Sequence, residues 1–431
     1  MEDVAGMDWR LWSNEGWLSS SDVSMLIELG HVEAVERLSV RGDWFCARGL
    51  ADLHRSRAQY DAAIEALRPF ADTGWWTAIE SVAELLAEAG RIDEAVDLCV
   101  PNVANGERNA IGYYANVLAG TGRAEEAFDL LLPHIDDWWH ARALMRIGVE
   151  LGREEALAPL LEESLERLRS PGAEVPGVTF HIEILAELLE AQGRLDRAIA
   201  VLRSDLYSSN IVEHLASLLI RHHRFDELRE LLISRPDARE IWHIVESLPA
   251  NSDIDRVAAA IRAMPEPAAC HATYHPSAAL GQLLIRAGRT TEGVVELRKA
   301  LDPDDLVSLH FFWMLLVEYG CVDEALSLID DCAVLTGAMT PDLLDERVSV
   351  LAAAGRTIEA IEELRSRPAA QQSADATYLS QLLVSVGRID AAVEVLEPGF
   401  RAGNHIDDMA RLMIRQGRVA EGLELLCRAE R

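Results

Sequence analysis

Lysine is almost missing from this sequence: of its 40 basic residues only Lys299 is lysine. A GC-rich genome gives such a bias, which by itself asks for no guanidinium chemistry. Basic charge as a whole is also short, with 72 acidic residues against those 40 and a formal net charge of −32. That balance excludes a nucleic-acid backbone or an anionic membrane as the main partner and favours a protein or peptide with a basic surface. Paired cysteine spacings are missing too. Cys46, Cys99, Cys270, Cys321, Cys332 and Cys427 are scattered, which excludes a disulfide framework and a zinc ribbon and makes a reducing cytoplasm the expected compartment. The longest apolar run, Phe311 to Val317, is too short to cross a bilayer. Met1-Glu2-Asp3 opens no export signal, so a soluble, unexported chain is expected.

The spacings that carry catalysis are likewise absent. There is no P-loop, no HExxH and no GxSxG, and the lone lysine sits in a helical phrase, ELRKAL. Gly120-Thr121-Gly122 lacks the third glycine and the preceding strand of a dinucleotide loop. Cys270, His271 and His275 stand together in CHATYH, but no second half with ligand spacing follows, so this reads as a loop rather than a zinc site. Neither an enzyme nor a cofactor is expected.

What the sequence has in abundance is one phrase, repeated: LLAEAGRIDEAVDL, VLAGTGRAEEAFDL, LLEAQGRLDRAIAVL, LLVSVGRIDAAVEVL. Each copy turns on an anchor glycine, at Gly30, Gly90, Gly122, Gly152, Gly193, Gly288, Gly320, Gly355, Gly387 and Gly417, with Ala58, His223 and Ser252 in degenerate copies. The thirteen anchors lie 28 to 41 residues apart. Four residues before the anchor stands a leucine in ten copies, and positions five and eight before it are apolar in nearly all, which is one stripe of an amphipathic helix A. The position six before is polar in every copy except Met314. The glycine suits a left-handed C-terminal cap. Acidic residues three and four after it suit the positive end of the dipole of a second helix, B. Five after it a small residue recurs, from Ala63 and Ala95 to Gly422, which lets helix B lie close on helix A. Pro69, Pro101, Pro133 and Pro398, eleven after their anchors, are expected to shorten or kink helix B.

These residues resemble the tetratricopeptide repeat and its looser Sel1 and pentatricopeptide relatives, over about Leu18 to Leu426. The resemblance implies an all-α, right-handed α-solenoid of about thirteen antiparallel helix pairs, although the spacing departs from the family's. The expected division is a cap at 1–22, repeats at 23–250, a degenerate copy with a Pro-rich joint at 251–276, and repeats at 277–431.

In that family helix A lines a concave groove, so the resemblance implies that the polar row faces a partner. Candidate contacts are Glu84, Asn116, Arg142, Arg146, Glu187 and Glu246, with the aromatic residues Trp76, Trp139 and Trp242. Aromatics thirteen and fourteen before the anchor, among them Trp17, Trp44, Phe45, Trp138 and Phe180, have two readings. They staple the start of helix A against the preceding helix B, or they form a ladder of binding rings. Two functions stay open as well: a non-enzymatic scaffold or regulatory adaptor that binds a protein or peptide, and a sensory receptor for a small molecule or signalling peptide.

Overall fold

The computed structural model describes residues 18–169, 177–234, 241–246, 248, 252–265, 275–367 and 375–428. Trp17, Cys270 and His271 lie outside the described residues. Among those described there is no strand, and 26 α-helices follow one another. The first ten are α1 (Ser20–Glu28), α2 (Val32–Val40), α3 (Trp44–Ser56), α4 (Tyr60–Ala71), α5 (Trp76–Glu88), α6 (Ile92–Ala104), α7 (Arg108–Gly120), α8 (Ala124–Leu131), α9 (Trp138–Glu150) and α10 (Glu154–Leu168). Next come α11 (Val178–Ala191), α12 (Leu195–Arg203), α13 (Ser209–Arg221), α14 (Phe225–Ser234), α15 (Ile241–Glu246) and α16 (Ile254–Arg262). They are followed by α17 (Pro276–Arg286), α18 (Thr290–Lys299), α19 (Leu306–Glu318), α20 (Val322–Thr336), α21 (Pro341–Ala353) and α22 (Thr357–Ser366). The last four are α23 (Ala376–Ser385), α24 (Ile389–Arg401), α25 (Ile406–Arg415) and α26 (Val419–Arg428).

Odd-numbered helices are the A helices and end alike. After α5, Gly90 takes φ +77°, the Arg91 amide donates to the Leu86 carbonyl at 2.8 Å, and the Gly90 amide donates to that of Ala87 at 3.0 Å. This is a Schellman cap, and its long bond recurs after every odd-numbered helix except α15. In each of these copies the accepting carbonyl belongs to the residue four before the anchor, a leucine in all but His54, Gly148 and Met413. Ala58 and His223 hold the same left-handed turn at φ 55° and 56°, so the degenerate copies keep the geometry without glycine. Only His405 joins them as a described non-glycine at positive φ.

The turn aims helix B back along helix A, and the small residue five after the anchor takes the contact. Ala63, Ala95, Ala127, Ala198, Ala325, Ala360 and Ala392 are fully buried. At Gly293 a Cβ would lie 2.7 Å from the carbonyl oxygen of Gly281, and at Gly422 one would lie 2.6 Å from that of Ala410. Leu26, Leu86, Leu118, Leu189, Leu219, Leu284, Leu316, Leu351 and Leu383 are buried on the other side of that contact. Each contributes about 1.5–3 kcal/mol by leaving water.

Proline departs from expectation. Pro69, Pro101 and Pro398 lie inside α4, α6 and α24, which run 12, 13 and 13 residues and are among the longer B helices. Only Pro133 follows a shortened α-helix: α8 stops at Leu131 and a 3₁₀ turn, Leu132–His134, takes over. Near the end of a helix proline forfeits a single backbone bond, and the helix continues to a later cap. That cap is a second glycine series, legible at regular spacing yet overlooked: Gly42, Gly74, Gly106 and Gly403 are left-handed at the turns from B to the next A.

The described residues form two compact units. One combines those of Met1–Ser164 with those of Ala376–Arg431, and the other is Leu165–Asp375. In the first unit the first and last described hairpins pack on each other. Leu18, Val23, Met25, Leu26 and Val35 share a core with Ala410, Ile414 and Leu426. Arg411, a member of the polar row, donates from Nε at 2.7 Å and from Nη2 at 3.3 Å to the buried Asp22 carboxylate. A continuous core follows, in which Trp44 packs edge-on against Phe70 at 5.2 Å and Trp75 at 4.6 Å. The ring partners of Trp44 thus come from α4 and the start of α5, later in the chain, rather than from the preceding helix B. In the second unit Trp242 stacks on Phe312 at 5.9 Å.

Two substitutions check the turn and the close contact. Gly293→Ala lowers stability by about 1–3 kcal/mol, since the added methyl meets backbone that cannot yield. Ala58→Gly relieves a left-handed Cβ and raises stability by up to about 1 kcal/mol. Urea unfolding of both variants beside the parent chain measures the shifts; three coincident transitions contradict the account.

Candidate functional site

Helix periodicity places positions thirteen, nine, six and two before each anchor on one stripe of helix A. In the first unit this stripe holds Glu84 and Glu88 on α5, Tyr113 and Asn116 on α7, and Trp139, Arg146 and Glu150 on α9. Glu84, Asn116 and Arg146 are exposed. Arg146 joins two copies, donating at 2.6 Å to Asn116 Oδ1 and at 3.1 Å to Glu150. Arg142, one turn earlier, is half-buried. Glu80 is half-buried beside Glu84, and burial first, then the Glu84 charge, hold its carboxyl above the ordinary value.

The aromatic candidates divide. Trp76 is buried and meets Tyr113 edge-on at 5.9 Å, so its ring is packed in the core. Trp139 is 50% exposed. It lies along Gly112, where a Cβ would sit 3.2 Å from the indole nitrogen, and stands at right angles to Trp138 at 5.5 Å. Arg108 covers Trp138 at 5.6 Å and donates to Asp137, the residue that caps α9.

The second unit carries the same stripe. Glu187 is half-buried on α11, and Glu246 is exposed on α15 with His243 at 3.3 Å. Trp242 is buried. Glu183, Asn210, Glu213, His214, Ser217 and Arg221 line a cavity of about 420 Å³ along α11 and α13. At its rim Arg221 and His222 both bond Glu190, at 2.7 and 2.8 Å. Burial raises the Glu190 pKa, but these two partners outweigh it and the net shift is downward.

Helix α19 departs from the rest at the position six before the anchor, polar in every other copy and Met314 here, and Val307 and Phe311 continue the same stripe. Val307 is 74% and Phe311 50% exposed. His310 and the Trp313 indole both reach Glu346 at 2.7 Å, which ties α19 to α21 and leaves the apolar stripe outward. Met314, the single exception in the polar row, is the sequence signal for this patch, while Val307 and Phe311 beside it carry no such mark in the repeat pattern.

The arginine after the anchor was also missed. Arg91 donates from Nε and Nη2 to Glu94 at 2.7 and 2.6 Å and from Nη1 to Asp61 of the preceding copy at 2.8 Å. Arg289 repeats this with Glu292 and Asp255, and Arg356 with Glu359 and Asp323. Three donors in a planar fork join two copies at once, which an ammonium cannot do. The arginine bias therefore has a structural use at these positions, and the acidic first turns of the B helices serve as its acceptors.

Reactive chemistry is sparse. Burial pushes the thiols of Cys99 and Cys332 up to about 12 and about 11, so neither supplies a thiolate at neutral pH. His275 caps α17 by accepting from the Ser277 amide at 3.1 Å. Among the described residues no group of three or more His, Cys, Asp or Glu is placed to hold a metal ion, and no helix is long and apolar enough to cross a membrane.

No family model and no curated protein match the chain. Solved structures similar to it include Naa15/Naa10 bound to HypK-THB, at 13% identity over 92% of this chain and 68% of that one, with a TM-score of 0.38. The APC/C hetero-tetramer Cut9–Hcn1 is 12% identical over 90% of this chain and 95% of that one, with a TM-score of 0.24. Yeast Tom70 is 12% identical over 90% and 96%, with a TM-score of 0.28.

Glu80 supplies a pH test. Its folded pKa lies above the ordinary 4.5, so the folded chain holds the proton to higher pH than the unfolded chain. The group's contribution to stability is therefore lost as pH rises through the folded value and becomes a penalty at pH 7. Glu80→Gln raises Tm at pH 7, and the gain shrinks toward pH 4. A gain equally large at both pH values contradicts the assignment.

Proposed function

We propose that the chain is a non-enzymatic scaffold or regulatory adaptor that binds a partner protein or peptide along the exposed stripe of its A helices. The observation that carries this reading is the exposure of Trp139 and of Val307 with Phe311, large apolar side chains on the stripe that also carries the polar row. Large apolar side chains set in a charged surface are the usual anchors of protein interfaces. Around them Glu84, Asn116, Arg142, Arg146, Glu187 and Glu246 supply polar contacts. The buried Trp76 and Trp242 hold the helices that present them. A net charge of −32 favours a partner with a basic surface and makes association salt-dependent.

A second reading, a receptor for a small molecule or signalling peptide, draws on the cavity of about 420 Å³ beside Glu183 and His214. It calls for a rise in Tm with a ligand fraction from cell extract, and that rise disappears in Glu213→Gln.

For the adaptor reading, titration calorimetry with the partner recovered by affinity purification is the test. Trp139→Ala and Phe311→Ala each weaken binding by roughly tenfold or more, as truncated aromatic anchors do, while Tm stays that of the parent chain. Raising salt weakens binding further. Affinity unchanged by salt and by both substitutions defeats the proposal.

A further inference from the structure

We propose that the B helices of the second unit carry an anion site, separate from the A-helix stripe, that takes a small phosphate monoester with an apolar portion. A cavity of about 600 Å³ lies along α14 and α16. Three guanidinium groups line it, from Arg229, Arg256 and Arg262, against the single carboxylate of Asp226. The lining residues themselves carry three positive charges and one negative, with Asp253 beside Arg256 and Glu292 within electrostatic reach of Arg262 just outside the cavity, in a chain whose balance is −32.

Elsewhere the arginines are mostly committed to carboxylates, as Arg91, Arg289 and Arg356 show. Here, among the described residues, Arg229 and Arg262 form no ion pair, and Arg256 approaches Asp253 no closer than 3.8 Å. Arg256 instead lies over the Phe225 ring at 5.3 Å, a contact that orients its planar fork.

Sequence spacing explains the convergence. Phe225 and Arg229 stand one turn apart on α14, while Arg256, Ala259 and Ala263 follow at intervals of three and four along α16 and the turn after it. The alanines leave the room, and Phe225 with Ala259 and Ala263 makes an apolar wall beside the charge. Guanidinium forks match the oxygens of a phosphate, and a dianion matches the charge of the lining residues. The volume lies within the ~300–1,000 Å³ range of small-molecule sites and exceeds what inorganic phosphate alone fills.

The test uses the full chain at low salt and titration calorimetry with phenyl phosphate, inorganic phosphate, phenyl sulfate and a phosphotyrosine peptide. Phenyl phosphate is expected to bind at least tenfold more tightly than inorganic phosphate or the singly charged sulfate. Arg229→Ala and Arg262→Ala are each expected to weaken it about tenfold, with the far-ultraviolet spectrum and Tm unchanged. Arg286→Ala, on α17 and outside the cavity, leaves it intact. Should either cavity variant lose Tm, Arg229→Gln and Arg262→Gln replace them with the same expected loss. Absence of phenyl phosphate binding at millimolar concentration overturns the proposal, as does binding that survives the Arg229→Ala/Arg262→Ala double variant. Binding of the phosphopeptide alone overturns the small-molecule assignment. Because Trp139 and Phe311 lie outside this cavity, the outcome here is independent of the adaptor test.

Discussion

A single backbone conformation, the left-handed residue between helix A and helix B, sets the geometry on which the other features depend. It closes helix A with the bond from the residue after the anchor to a carbonyl five residues back. It turns the chain so that the small residue five later meets helix A, and it places the following arginine between two acidic first turns. Ala58 and His223 keep this conformation although a Cβ is unfavourable there, at a typical ~1–2 kcal/mol. That two copies tolerate the strain shows that the packing on either side of the turn determines it and that glycine merely makes it easier.

Whatever recurs at fixed distance from that turn was legible in the sequence. The leucine four before the anchor, the alanine five after it and the capping glycine are local consequences of one hairpin, and thirteen aligned copies expose them. Features that depend on two copies at once were harder to read. The acidic first turns were assigned to the helix dipole alone, because the arginine that bridges them acts between hairpins. The prolines were given too much weight, since a cap beyond each of three of them carries the helix onward. Least legible was the meeting of the terminal hairpins: Asp22 and Arg411 are 389 residues apart, and no local pattern signals a contact between them.

The candidate surface shows the same division. Its polar row was readable as a row, but the burial of Trp76 and the exposure of Trp139 depend on what lies opposite each ring. Tyr113 faces the first, and the bare Gly112 backbone lies under the second. Helix α19 is apolar on nearly every side, which in a repeat array means that one face packs and the other meets something else. That surplus of exposed apolar area on a chain otherwise covered in charge is what supports the proposed interaction function, and the bridging arginines tie successive copies together.

The direct measurement is photo-crosslinking in the source cell from single benzophenone amino acids placed at Trp139, Phe311, Tyr207 and Val334, all exposed positions. Only the first two lie on the A-helix stripe. The account predicts that 139 and 311 capture the same protein while 207 and 334 capture none in common with them. Capture of that protein from 207 or 334, with none from 139 and 311, contradicts it.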